Sequence, residues 1–292
     1  MTTSLGDDLA RLQDRQFWHA FAPDMHIASD NFWRSQAPFR VDDAGIETGR
    51  QLLKREGYFQ IPPPAWPLPI AEMAALVDRL DRSGLPAPFS FIYDEFWCLF
   101  SSLTPMLEGV LGPGFSRLPD FWTWIVRPQR EDRGWQPHRD KSYPTALFDD
   151  GSPKSATVWI ALTDSTALNG CMYIVPADRD PTYNTAEESQ WRFAYSDIRA
   201  LPAPAGTIFC WNQAVLHWGS RACERGAAPR ISVAFEFQSA KAAPFNQPLT
   251  DPREIPSLDF RIRLIAKQIL QYRYMHPPQP HIERSANQIL AR

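Results

Sequence analysis

Two stretches of this chain alternate so regularly between polar and apolar residues that they restrict it to a fold built on sheets with one wet and one dry face. Neighbouring side chains in extended backbone point to opposite sides. Along residues 230–237, Arg230, Ser232, Ala234 and Glu236 share one side, and Ile231, Val233, Phe235 and Phe237 share the other. Residues 155–162 divide the same way, with Ser155, Thr157, Trp159 and Ala161 opposite Ala156, Val158, Ile160 and Leu162. In a chain that also carries helical stretches, this predicts helices over the apolar outside and a cavity on the polar side.

Further β-favouring segments at 121–126, 171–175, 207–211 and 215–218 are separated by Gly, Pro, Asn and Asp turn signals, as in a sandwich or small barrel. Before them, 41–56 reads as a helix stopped at Gly57, followed by a short strand at 58–61. Helical spacing recurs at 70–80 and 95–111, which end at Gly84 and Gly112. The chain therefore divides into a lead-in (1–40), a mainly helical layer (41–115), a β core (116–240) and a C-terminal helical extension (241–292), all within one domain. The helix expected at 257–274 carries an apolar stripe and, opposite it, Arg261, Arg263, Lys267 and Arg273. That second face reads as solvated, with an acidic membrane surface as the minor alternative.

Chemistry concentrates in the β core. Only six histidines are present, and between Ile27 and Met275 the sole two are His138 and His217. Asp140 lies two residues past His138, on the same side of extended backbone. Two imidazoles and one carboxylate leave half of a metal's coordination sphere open, as ferrous oxygen chemistry requires. Arg230 follows with Ser232 two residues on, and a guanidinium beside a hydroxyl suits the distal carboxylate of an acidic cosubstrate. Trp124, Arg127, Trp135, Gln136, Tyr143, Trp211 and Trp218 flank these segments and are candidates for a substrate pocket. His19, His26, His276 and His281 lie in the outer segments and are assigned no role.

The set His138-Arg139-Asp140, His217 and Arg230-Ile231-Ser232 resembles the iron(II)/2-oxoglutarate oxygenases. The runs Thr157-Val158-Trp159-Ile160-Ala161-Leu162-Thr163-Asp164 and Asn169-Gly170-Cys171-Met172-Tyr173-Ile174-Val175-Pro176 are similar to the phytanoyl-CoA dioxygenase branch, over roughly residues 40–240. The resemblance implies an α+β chain with a double-stranded β-helix (jelly-roll) barrel and iron at its mouth. It implies His138, Asp140 and His217 as ligands, Arg230 and Ser232 on 2-oxoglutarate, and Trp159, with Thr157 on the same face, beside that cosubstrate. The implied reaction consumes O₂ and 2-oxoglutarate, releases succinate and CO₂, and hydroxylates an unactivated C–H bond of a small organic molecule. Asp140 disfavours halogenation, because halogenating relatives carry a small residue there. Relatives often follow the equivalent of Pro176 with Gly-Ser-His, whereas this chain has Ala177-Asp178-Arg179, a difference that bears on substrate choice.

Other classes fit less well. A net charge of −3 with both signs dispersed provides no basic stripe for nucleic acid. No Gly-x-Ser-x-Gly elbow or phosphate loop is present. Cys98, Cys171, Cys210 and Cys223 lack CxxC spacing and read as buried, reduced thiols. The N-terminus shows no signal-peptide pattern and no apolar run reaches the roughly 20 residues of a membrane span, so the cytoplasm is the expected location. The alternative of another class is a cupin-like metal-binding sensor without turnover, against which an open coordination sphere and the Arg230-Ser232 pair argue.

Overall fold

The computed structural model describes residues 5–291; the readings made for residues 1–4 and 292 lie outside the described residues. The N-terminal lead-in folds into α1 (Leu5–Gln13), α2 (Arg15–Phe21) and α3 (Asp30–Ser35). Its anchor is Trp18, fully buried, whose indole N–H donates to Leu12 O at 2.9 Å, while its own carbonyl accepts from the Tyr93 hydroxyl at 2.7 Å. Next come α4 (Asp43–Arg55), capped by Asp42 accepting from Gly45 N, then β1 (Tyr58–Ile61) and α5 (Ile70–Arg82). Gly57 links α4 to β1 at φ +82°, a left-handed conformation that favours glycine.

The helix expected at 95–111 is two helices, α6 (Asp94–Ser101) and α7 (Thr104–Leu111). Pro105 sits in the first turn of α7, where its missing N–H is harmless, and it cannot continue α6. Because nearly every residue of α6 is buried, no polar stripe marks this break in the sequence. The strands are β2 (Ser116–Val126), β3 (Ser155–Ala161), β4 (Met172–Val175), β5 (Arg199–Leu201), β6 (Ile208–Asn212), β7 (Leu216–Gly219) and β8 (Arg230–Gln238). Two helices follow, α8 (Leu258–Gln271) and α9 (Pro280–Leu290). Strand β5, with three residues and two of them exposed, carries no periodicity that sequence reading detects.

The strands form two antiparallel sheets, ordered β1-β6-β3-β8-β2 and β5-β4-β7. The fold is therefore mixed α and β. As the alternation predicts, Ala156, Val158, Ile160, Ile231, Val233, Phe235 and Phe237 face the helical layer and join Phe91, Trp97 and Phe100 in the main core. The other face of the large sheet, through Trp159, Phe209, Trp211 and Ala234, packs on Met172, Ile174 and Leu201 of the small sheet. Among the described residues no helix is long and apolar enough to cross a membrane. All four cysteines are free; three are buried and Cys223 is half-exposed.

The solvated basic face expected on α8 is corrected at Arg261, which is completely buried. Its guanidinium meets Asp94 Oδ1 at 2.5 Å and donates to the carbonyls of Ile92 and Pro256, at 2.7 and 2.9 Å. Asp94 in turn accepts from the amides of Ala28 and Ser29, both at 2.8 Å. One ion pair thus ties the lead-in, α6 and α8 together. Replacing Arg261 with Met leaves the Asp94 carboxylate buried without its counter-charge, so urea unfolding should show a loss of about 3–5 kcal/mol. A loss below about 1 kcal/mol would contradict this role.

Candidate metal and cosubstrate site

Residues 134–138 run antiparallel beside β7 and extend the small sheet. His138 N donates to His217 O and His217 N donates to His138 O, both at 3.0 Å, so the two histidines form a hydrogen-bonded cross-strand pair. Their ring centroids lie 4.4 Å apart. Further along this pairing, Gly219 N reaches Trp135 O at 3.2 Å, and the backbones approach so closely that a Cβ on Gly134 would stand 2.5 Å from the Gly219 Cα. Glycine is required on both sides of this contact.

Each imidazole is oriented by its own strand. His138 Nδ1 lies 2.7 Å from Gln136 O and His217 Nδ1 lies 3.1 Å from Val215 O. A carbonyl only accepts, so both protons reside on Nδ1 and both Nε2 lone pairs point inward. Asp140 completes the group: its Oδ1 is 3.3 Å from His138 Nε2 and 3.7 Å from His217 Nε2. One ligand atom from each of the three residues lies within 4.8 Å of the other two. Asp140 Oδ2 is occupied by donors, Thr157 Oγ1 at 2.8 Å and Trp211 Nε1 at 2.9 Å.

The electrostatics favour a cation. Burial pushes the His217 pKa down to about 4, so that ring is neutral near pH 7. Burial alone would raise the Asp140 pKa, but His217 and His138 outweigh it and hold the carboxyl well below its ordinary range. Burial opposes charge on His138 too, yet the Asp140 carboxylate prevails and its pKa lies above the usual imidazole value. Among the described residues, His138 Nε2 is a buried nitrogen without a hydrogen-bond partner. A neutral imidazole, a second imidazole competing for a proton and an ionised carboxylate form a donor set that fits a divalent metal.

Arg230 opens the other end of the cleft. It is fully buried, its Nη1 donates to Ser232 Oγ at 2.8 Å, and its Nε and Nη2 have no partner. Burial lowers its pKa to about 10, which still leaves it charged at neutral pH. The Trp159 ring lies 5.7 Å from the guanidinium carbon. Glu236, on the same face of β8, is instead engaged by Lys141 Nζ at 3.2 Å and Gln213 Nε2 at 2.6 Å. Burial raises the Glu236 pKa to about 7, partly offset by Lys141.

The cleft lies between the sheets, partly open to solvent, and is lined by His138, Asp140, His217, Arg230, Thr157, Trp159, Trp124, Trp135 and Trp211 among the residues singled out from the sequence. Ser232 lies beneath Arg230. Four pocket candidates fall elsewhere. Arg127 turns to Asp81 and Asp78 on α5, at 2.8 and 2.7 Å. Gln136 is exposed and contributes its carbonyl, and Tyr143 is 46% exposed at the surface. Trp218, next to His217 in β7, must point to the opposite face and stacks on Tyr173 at 5.7 Å.

Sequence reading missed several wall residues. Trp122 shares its face of β2 with Trp124, a relation that alternation supplies. Tyr272 lines the cleft and packs 4.8 Å from Trp135; behind the wall, His276 stacks on Trp122 at 5.1 Å while its Nε2 accepts from Trp135 Nε1 at 2.9 Å. No local signal connects these C-terminal residues to the cleft.

Residues 109–230 match the family model of phytanoyl-CoA dioxygenase (PhyH). This segment carries the phytanoyl-CoA dioxygenase family pattern. No curated protein matches the chain. Among solved structures, the non-heme alpha ketoglutarate dependent epimerase SnoN from nogalamycin biosynthesis aligns at 21% identity and TM-score 0.52, covering 75% of this chain and 88% of SnoN. The non-heme monooxygenase ThoJ aligns at 14% identity and TM-score 0.53, covering 83% and 98%. AviO1 from Streptomyces viridochromogenes Tue57 aligns at 19% and 0.53, covering 70% and 99%. At these identities the likeness is one of fold.

His276 is held neutral by burial, with a pKa lowered to about 4. Replacing His276 with Phe keeps a ring on Trp122 but leaves the Trp135 indole N–H without its acceptor. The expected cost is about 1–3 kcal/mol in chemical unfolding, with a shift in tryptophan emission. An unchanged emission spectrum and midpoint would show that this contact does not support the tryptophan wall.

Proposed function

We propose that the chain is an iron(II)- and 2-oxoglutarate-dependent dioxygenase that hydroxylates a C–H bond of a small organic molecule, with succinate and CO₂ as coproducts. The observation that carries this reading is the buried Arg230 guanidinium, two of its nitrogens unpartnered, facing the same cleft as the convergent His138, Asp140 and His217. A buried charge without a counter-ion costs several kcal/mol, so such a cation is built to receive an anion. A dicarboxylate spanning from Arg230 to a metal would satisfy both ends of the cleft. SnoN, which shares the fold, has been captured with Fe3+, alpha ketoglutarate and nogalamycin RO.

In this reading His138, Asp140 and His217 hold the iron, and the bound metal with 2-oxoglutarate supplies the activation of O₂. Arg230, steadied by Ser232, anchors the distal carboxylate, and Trp159 packs alongside it. Met172 and the tryptophans of the wall exclude water and offer ring faces to an apolar substrate. The two antiparallel sheets are read as the halves of a double-stranded β-helix, with the flanking helices part of the same domain.

Purified protein supplied with Fe(II), 2-oxoglutarate and O₂ should release succinate, and Asp140→Ala should abolish it. Arg230→Met should raise the 2-oxoglutarate requirement about 100-fold, the equivalent of losing about 3 kcal/mol of charged hydrogen bonding, with iron affinity unchanged. Equal iron loss in that variant, or succinate release independent of the metal, would refute the assignment. Because protons compete for His138, whose pKa is raised, divalent-metal affinity should fall about tenfold per unit as pH drops below that pKa. A flat metal affinity across that range would remove His138 from the ligand set.

A further inference from the structure

We infer that Gln213 is a positioning residue: it fixes the direction of the Thr157 hydroxyl and so makes Asp140 a ligand through one oxygen only. This inference rests on the proposed metal site. Gln213 follows β6 and is fully buried. Its carboxamide oxygen accepts from the Ser155 hydroxyl, while Nε2 lies 2.6 Å from Glu236 Oε2 and 3.1 Å from Thr157 Oγ1. Glu236 Oε2 also accepts from the Lys141 ammonium, which only donates, so this oxygen is an acceptor and the amide turns its NH₂ toward it. That NH₂ has two protons and two acceptors, one for Glu236 and one for Thr157.

The consequence passes to Asp140. With Thr157 Oγ1 already accepting from Gln213, the single hydroxyl proton of Thr157 is free to point at Asp140 Oδ2, 2.8 Å away. Trp211 Nε1 adds a second donor to the same oxygen at 2.9 Å. Oδ2 is thereby loaded with hydrogen bonds, and Oδ1 alone faces the two Nε2 atoms. A carboxylate bound through one oxygen occupies one coordination position; through both it takes two, at the expense of a position the cosubstrate or O₂ needs. Without the Gln213 donor, the Thr157 hydroxyl is free to rotate toward Glu236, and Oδ2 regains a lone pair for the metal.

The test uses Co(II)-loaded whole protein without O₂, with 2-oxoglutarate affinity and the Co(II) visible spectrum as readouts. Gln213→Met should weaken 2-oxoglutarate binding at least about tenfold without lowering Co(II) affinity, and should change the Co(II) bands as coordination number changes. Thr157→Val should do the same. The double variant should be no worse than either single variant, because Gln213 acts through Thr157. If Gln213→Met does not fold, the paired Ser155→Ala/Gln213→Met variant, which also removes the hydroxyl left without its acceptor, carries the same expectations. Wild-type 2-oxoglutarate affinity in the Gln213 variant, or losses that multiply in the double variant, would overturn the inference and leave the metal site standing. A wild-type protein that takes up no Co(II) would overturn both.

Discussion

Two backbone hydrogen bonds between His138 and His217 govern the geometry of this molecule's polar centre, because they bring a loop residue and a strand residue into one register. Once that register is set, Nδ1 of each ring is bound to a carbonyl two residues away on its own strand, and both Nε2 atoms face inward. Asp140 then arrives two residues beyond His138 with its carboxylate between the rings. The close approach of Gly134 and Gly219 is part of the same constraint, since any side chain there would push the added strand off β7. A one-residue slip of this segment against β7 would turn the His138 imidazole to the other face, away from His217.

Around that register, the cleft is organised by what its polar groups lack. Most buried polar side chains are paired: Arg261 with Asp94, Arg139 with Asp180, Glu236 with Lys141 and Gln213. Arg230 differs in having no carboxylate within ion-pair distance among the described residues, and its Nε and Nη2, like His138 Nε2, are unpartnered on residues that line one cavity. A buried guanidinium without a counter-ion is costly, and its place in the same cleft as His138 marks a site prepared for a ligand rather than for packing. Surrounding them with tryptophan lowers the local polarity and strengthens every charge interaction a ligand would make.

Much of this arrangement was legible before any coordinates. Alternation along 155–162 and 230–237 assigned the dry and wet faces, and the structure seats them as expected against the helices and the cleft. The two-residue spacing of His138 and Asp140 placed both on one side for the same reason. Failures occurred where proximity in sequence was used in place of the pleat. Adjacency in sequence groups Trp218 with His217, but neighbours in a strand point apart, and it overlooks Trp122, which shares a face with Trp124. Tyr272 and His276 are unreadable for a different reason: the docking of α8 brings Tyr272 to the cleft and His276 behind its tryptophan wall, and no local pattern encodes that. Arg261 looked solvated on a helical wheel because its partner, Asp94, is distant in sequence.

The central claim, that His138, Asp140, His217 and Arg230 together form one site for a metal and a dicarboxylate, is tested most directly by anaerobic titration of Fe(II)-loaded protein with 2-oxoglutarate while following its visible absorption. The account predicts a charge-transfer band that grows to one equivalent, as the keto acid chelates iron. It also predicts that the band is replaced by simple weak binding, without the absorption, when iron is omitted. Tight one-equivalent binding with no charge-transfer band would show that the dicarboxylate and the metal occupy separate places, and would contradict the account.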